Sequence, residues 1–227
     1  MVLAIYGAGG LGMECSSLAE KINAVDHRWT DMVFVDDSEN RVEELLGYSV
    51  MPYEKVLETY GMENLEFIIG IGEVAVKKVV FEKLKARGCK MANLIHPETS
   101  LHRSTVVGEG VMIGRNAAIG PKVTIGSNVL VRGNTVLGHD CVIEDNVEVC
   151  AYSIVGGNTV VGNNTFIGLH SCLREGIKIG ANSIIGMGSI VTKDVPESVV
   201  VYGNPAKIVR SNDTGRIFKK SVVIEQK

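Results

Sequence analysis

The sequence is poor in several things, and each shortage narrows the reading. Aromatic residues make up 5% of its 227 positions, and proline occurs five times. The apolar core must therefore come from Val, Ile and Leu, a composition that favours strands. No apolar run approaches the ~20 residues of a membrane-crossing helix, so no membrane partner is expected. The five cysteines (Cys15, Cys89, Cys141, Cys150, Cys172) form no Cys-x-x-Cys pair. Free thiols in a reducing cytoplasm are the expectation, with no metal site. An excess of positive charge is also missing. The formal net charge of −3 gives no reason to expect nucleic acid or an anionic membrane. Small anionic ligands remain open, since they need only local donors. The opening "MVLAIYGAGG" lacks a basic leader and is too short for a secretory h-region.

What is present is a repeat. From Leu101 to Val191 an aliphatic residue returns at every sixth position, through 16 hexads in one register. The next residue is Gly in 10 of the 16, and two places further on 12 carry Asn, Asp or Gly. Those types tolerate left-handed backbone, so each hexad predicts a short strand ending in a sharp corner. Three hexads make one triangular coil of 18 residues, with aliphatics stacked inward and parallel strands paired between coils.

The first hundred residues differ. "VLAIYGAGGLG" is an apolar strand running into a glycine turn, and "GMECSSLAEKI" reads as a helix. "DMVFVDD" and "LEFIIGIG" are further strands, and "EVAVKKVVFEKLKARG" has helical periodicity ending at Gly88, a natural C-cap. Alternation of this kind implies a small parallel α/β sheet. Gly7, Gly9 and Gly12 form Gly-x-Gly-x-x-Gly between a strand and a helix. Such a turn lets backbone N–H groups approach a phosphate. Asp36 follows at the distance of a ribose-binding acid. The reading is a nucleotide, or else a tight turn without ligand. About 96 residues fall short of a six-strand dinucleotide fold, which favours a nucleotide other than NAD.

"IGRNAAIGPKVTIGSNVL" and "VVGNNTFIG" resemble the hexapeptide-repeat acyltransferases, and that resemblance supplies the handedness. Joined to "YGAGGLG", "FVDD", "GIG" and "LIHP", the pattern resembles the sugar O-/N-acyltransferases of the NeuD and PglD type from about residue 3 to about residue 210. The resemblance implies an α/β Rossmann-like domain over residues 1–96. A left-handed parallel β-helix follows over 97–210 and includes a C-terminal cap, and 211–227 form a tail of unassigned role. It further implies an acetyl-CoA-dependent homotrimer with a nucleotide-linked acceptor sugar. The expected acceptor is a UDP- or dTDP-linked 4-amino-4,6-dideoxy sugar. Transfer to a sugar or sialic acid hydroxyl is the alternative within the class. Outside it stand an NAD-dependent oxidoreductase, whose second domain nothing in the sequence supplies, and a non-catalytic trimeric scaffold.

Among five histidines, His27 and His96 read as structural or solvated, His102 lies in the first hexad, and His170 occupies a corner. His139 lies two residues after the inward Leu137, so it faces outward, and Asp140 beside it can orient an imidazole. "GHDCVI" matches the family's His–acid pair, which implies His139 as general base and Asp140 as its orienter. Cys141 takes the small inward position of a packing thiol, favouring direct transfer without an acyl-enzyme. Gly157 lies one coil after His139 and could offer an oxyanion N–H. The resemblance places CoA against Glu148, Gly157, Leu169 and Met187, and the nucleotide sugar against Gly12, Met13, Asp36, Asp37 and Gly70. Lys193, Lys207 and Arg210 are candidates for the coenzyme phosphates. The sequence departs from the family at Arg132, where Asn is frequent, and at Glu148, where a second histidine is. Glu175 adds a charge to the 18-residue column of His139 and Gly157.

Overall fold

The computed structural model describes residues 1–213 and 215–217; the rest of the expected tail, residues 214 and 218–227, lies outside the described residues. The first segment forms β1 (Val2–Tyr6), α1 (Gly10–Asp26), β2 (Asp31–Val35), β3 (Glu44–Leu45), β4 (Tyr48–Met51), α2 (Tyr53–Tyr60), β5 (Leu65–Ile69) and α3 (Val74–Ala86). The sheet order is β3-β4-β2-β1-β5, parallel throughout except for β3 against β4. The strands are apolar on both faces because both are covered. Leu3, Ile5, Phe34 and Ile68 face α1, whereas Ala4, Val33, Val35 and Phe67 face α2 and α3. Gly88 follows α3 with φ +73, the expected cap. The β3–β4 hairpin and α2 were not anticipated from the sequence.

Beyond this sheet the chain winds into a parallel β-helix. Strands of two residues recur every six, and each pairs with the strand 18 residues on, as Val136–Leu137 does with Ile154–Val155. The first residue of each strand points outward, and its column defines a face. Met112, Leu130, Glu148, Phe166 and Ile184 mark face one. Ala118, Val136, Ile154, Cys172 and Ile190 mark face two. Thr124, Val142, Val160 and Lys178 mark face three. The second residues form one buried aliphatic stack, from Ile113 to Val191. Pairing begins at Leu94–Ile95, which sits beside Met112–Ile113 and so within the segment assigned above to the first domain.

Every sixth residue from Gly110 to Gly188 has positive φ, including Lys122 and Tyr152, whose side chains do not favour it. The repeat imposes the corner even where the residue type does not ask for it. Small polar residues beside the aliphatics are buried, and apart from Thr105 at the start of the repeat their hydroxyls are satisfied. Ser153 Oγ donates to the Gly168 carbonyl at 2.9 Å and Thr165 Oγ1 to that of Gly180 at 3.0 Å. Corner amides stack as well: Asn128 Nδ2 donates to Asn146 Oδ1 at 2.7 Å.

The two halves share a core. Leu11, Cys15 and Leu18 of α1 pack with Leu94, Met112 and Leu130 of face one. An antiparallel hairpin, Val199–Gly203 with Ala206–Ser211, closes the far end of face one. The chain then returns to the start of α3, where Ile217 N–H donates to Glu73 Oε1 at 2.9 Å. Among the described residues no helix is long and apolar enough to cross a membrane.

Candidate active site

At the C-terminal ends of β1 and β5, three glycines meet. A Cβ on Gly12 would lie 1.9 Å from the Gly7 carbonyl oxygen, and one on Gly70 would lie 2.6 Å from the Gly12 Cα. These glycines let strand and helix backbones close up. Gly9 and Gly10 instead face open space. The first turn of α1 has no side-chain cap and no acidic residue, so its N–H groups are free for an anion. Met13 is exposed just past that turn. Asp36 follows β2 beside Gly7, whose N–H donates to the Val35 carbonyl at 2.8 Å. One Asp36 oxygen accepts the Ser38 N–H at 2.9 Å.

Asp37 does something else. Its carboxylate accepts from the Tyr6 hydroxyl, from Tyr53 N–H at 2.7 Å and from Lys83 Nζ at 3.3 Å. Burial raises its pKa, but these donors outweigh that and hold it below the usual carboxylate value. The carboxylate thus binds the α2–α3 side of the sheet together.

His139 and Asp140 occupy the edge between faces two and three. Asp140 has φ 57, the corner conformation. His139 Nδ1 lies 2.9 Å from Asp140 Oδ2, and Lys122 Nζ, one coil earlier, lies 3.7 Å from Asp140 Oδ1. The bond to His139, aided by the Lys122 charge, overcomes desolvation and holds the Asp140 pKa down. A carboxylate at Nδ1 keeps the proton there and leaves Nε2 as the basic nitrogen. The imidazole rests on Gly157, where a Cβ would come within 2.9 Å of Nε2. The Gly157 N–H makes no hydrogen bond among the described residues. Glu175 is exposed in the same column. Cys141 is buried, donates to the Gly156 carbonyl at 3.1 Å, and has its pKa raised by burial. It is a packing thiol.

A groove of ≈ 630 Å³ runs along face one and the edge between faces one and two. Its walls are largely apolar and include Phe166, Leu169, Ile184 and Met187, with Tyr202 and Arg210 at the hairpin end. At the other end Arg132 lies between Glu148, 3.2 Å away, and Glu14 of α1. Glu148 is 2% exposed, and its second oxygen is buried without a partner. Cys150 beside it is pushed up to about 12, by burial first and then by the Glu148 charge.

The predicted residues therefore fall into three groups. Gly12, Met13, Asp36 and Gly70 gather at the end of β1, whereas Asp37 is committed elsewhere. Glu148, Leu169 and Met187 share the groove. Gly157 does not join them and lies instead under His139, on another edge. Arg210 lines the groove, whereas Lys193 and Lys207 line a separate ≈ 380 Å³ cavity at the helix end. His96 is buried and its Nδ1 accepts the Glu98 N–H at 3.2 Å, while His170 stacks on Tyr152 at 4.9 Å. Sequence reasoning missed Glu14, whose role depends on how α1 docks.

Comparison with known proteins gives matches in both halves. Residues 2–84 match the family described as the PglD N-terminal domain, and residues 92–210 match the GMPPB C-terminal domain. The structure is similar to the acetyltransferase domain of PglB from Neisseria gonorrhoeae, with 26% identity, 92% of this chain and 99% of that chain covered, and a TM-score of 0.85. WeeI from Acinetobacter baumannii matches at 26% identity, with coverage of 92% and 100% and a TM-score of 0.82. PerB from Caulobacter crescentus, in complex with CoA and GDP-perosamine, matches at 27% identity, with coverage of 92% and 97% and a TM-score of 0.78.

Proposed function

Because the chain belongs to the left-handed β-helix sugar acyltransferases of the PglD type, with its second half in the GMPPB C-terminal domain family, we propose that it transfers acetyl from acetyl-CoA to the amino group of a nucleotide-linked 4-amino-4,6-dideoxy sugar. The enzyme class is that of an acyl-CoA-dependent sugar acetyltransferase. The observation that carries the reading is the His139 ring, held by Asp140 at 2.9 Å and seated over Gly157.

In this reading the N–H groups opening α1 take the diphosphate, and Asp36 takes the ribose. UDP and dTDP are the expected carriers, and the GDP-sugar bound by PerB adds a third. Residues 1–96 hold the acceptor and residues 97–210 carry the transfer. The groove holds the pantetheine arm between its apolar walls. His139 Nε2 accepts a proton from the amine as the amine attacks the thioester carbon. The Gly157 N–H donates to the oxyanion of the tetrahedral intermediate. The carbon–sulfur bond then breaks, and the CoA thiolate takes a proton back through His139. No acyl-enzyme is needed, in keeping with the buried state of Cys141.

His139 and the groove lie on different edges of one prism, so a single copy does not bring base and donor together. A homotrimer with the prisms side by side supplies the missing half, with His139 of one copy facing the groove of its neighbour. The test is release of CoA thiol from acetyl-CoA against UDP-, dTDP- and GDP-linked 4-amino sugars and free sialic acids. Release with a nucleotide amino sugar supports the reading. Release with sialic acids alone moves it to O-acetylation, and no release with any acceptor overturns it.

A further inference from the structure

The groove has two unlike ends. Arg210 stands at the hairpin end, whereas Arg132 lies with two carboxylates, Glu14 and Glu148, at the other. A phosphate-rich donor is favoured at the Arg210 end and less so beside Arg132, whose charge Glu14 and Glu148 already engage. The acyl end of the donor is then the one that reaches Arg132. Glu14 follows Gly10, the first residue of α1, by about one helical turn. In the reading above, that helix start holds the diphosphate of the acceptor. Arg132 therefore stands where donor and acceptor meet.

Its own hydrogen bonding is incomplete. Nε donates to Glu148 Oε1 at 3.2 Å and Nη1 donates to Glu14, whereas Nη2 has no partner among the described residues. The side chain keeps 20% exposure, and Glu148, at 2%, fixes its plane from inside. A guanidinium carries five N–H donors in a rigid fork. When substrates displace water from this end of the groove, its free donors must meet an oxygen or stay unpaired, and an unpaired buried donor is costly.

We propose that Arg132 determines acceptor specificity by donating to an oxygen of the sugar on the carbon beside the one acetylated. For a 4-amino sugar that oxygen is the hydroxyl on carbon 3. The proposal rests on the acetyltransferase reading. Arg132 touches the substrate, while Glu14 and Glu148 hold its fork in place.

The experiment compares kcat/KM for UDP-4-amino-4,6-dideoxy-N-acetylglucosamine and its 3-deoxy analogue. The native enzyme is expected to prefer the hydroxyl-bearing sugar by about 100-fold or more, as sites built around a hydrogen bond do. In Arg132→Met the preference should collapse to about threefold or less, whatever the variant does to the absolute rates. Should Arg132→Met fail to fold, Arg132→Lys keeps the charge for both carboxylates but loses the fork, and its preference should fall at least about tenfold. Turnover of both sugars without discrimination by the native enzyme, or discrimination that survives both substitutions, overturns the role of Arg132. No turnover of any acceptor overturns the acetyltransferase reading as well.

Discussion

The His139 ring lies flat on Gly157 because the residue one coil later has no Cβ. That contact predicts a separation of activity from stability. In Gly157→Ala the new methyl would press on Nε2, and the ring must leave the position set by Asp140. The expected result is a fall in kcat of about 100-fold or more, the scale of a displaced general base, with an unchanged thermal midpoint. Cys141→Ser should do the opposite. A serine hydroxyl can donate to the Gly156 carbonyl as the thiol does, so kcat should stay within about threefold of native if no acyl-enzyme forms. Loss of activity in that variant would return Cys141 to the mechanism. The 18-residue period makes His139 and Gly157 legible as neighbours from the sequence alone. Asp36 and Asp37 could not be separated that way, because Tyr6, Tyr53 and Lys83 reach Asp37 from three different elements. The Arg132–Glu14 pair spans 118 positions and exists only once α1 has docked.

Strand, corner and stack follow from the hexad itself, since one aliphatic and one left-handed corner per six residues leave little else possible. Short elements without a repeat were harder to read. The turn at Gly47, and Pro52 and Gly61 flanking α2, were visible as residues, yet two-residue and eight-residue elements carry little periodicity. Helix α3 hides a different surprise. Lys77 shares its buried face with Val74, Val80 and Leu84 and donates from Nζ to the Asn128 carbonyl at 2.8 Å. Burial lowers its pKa to about 8, although Glu148 pulls the other way. Below about pH 8 both folded and unfolded chains hold this proton. Between about 8 and the unfolded value of 10.5 the unfolded chain keeps it and the folded chain has released it. The unfolding free energy should therefore rise with pH through that window. Urea midpoints at about pH 7 and about pH 10 should show the rise in the native chain and a smaller one in Lys77→Met, because methionine has no proton to exchange in either state. Equal slopes would place Lys77 outside this account.

For the molecule as a whole, the domain order was readable because glycine turn and hexads do not overlap along the chain. The homotrimer rests on the family resemblance alone, since a single copy leaves His139 and the groove on separate edges. A mixed-oligomer experiment addresses this. His139→Ala removes the proposed base, and Met187→Trp fills the groove beside Leu169. Each variant alone should be inactive. Co-assembled in equal amounts they should regain about a quarter of native activity, because random mixing leaves that share of sites with both halves intact. No recovery in demonstrably mixed oligomers would mean that base and groove act within one copy or not together at all.

The central claim, that His139 drives acetyl transfer from acetyl-CoA to a nucleotide-linked amino sugar, is tested most directly by following the acetyl group. The native enzyme and His139→Ala are each incubated with isotope-labelled acetyl-CoA and a nucleotide-linked 4-amino sugar, and the products are read by mass spectrometry. The account predicts label in an amide on the sugar with the native enzyme, none on the protein, and at least about a 100-fold slower appearance with His139→Ala. Label that stays in acetyl-CoA, or that reaches the sugar equally fast without His139, would contradict it.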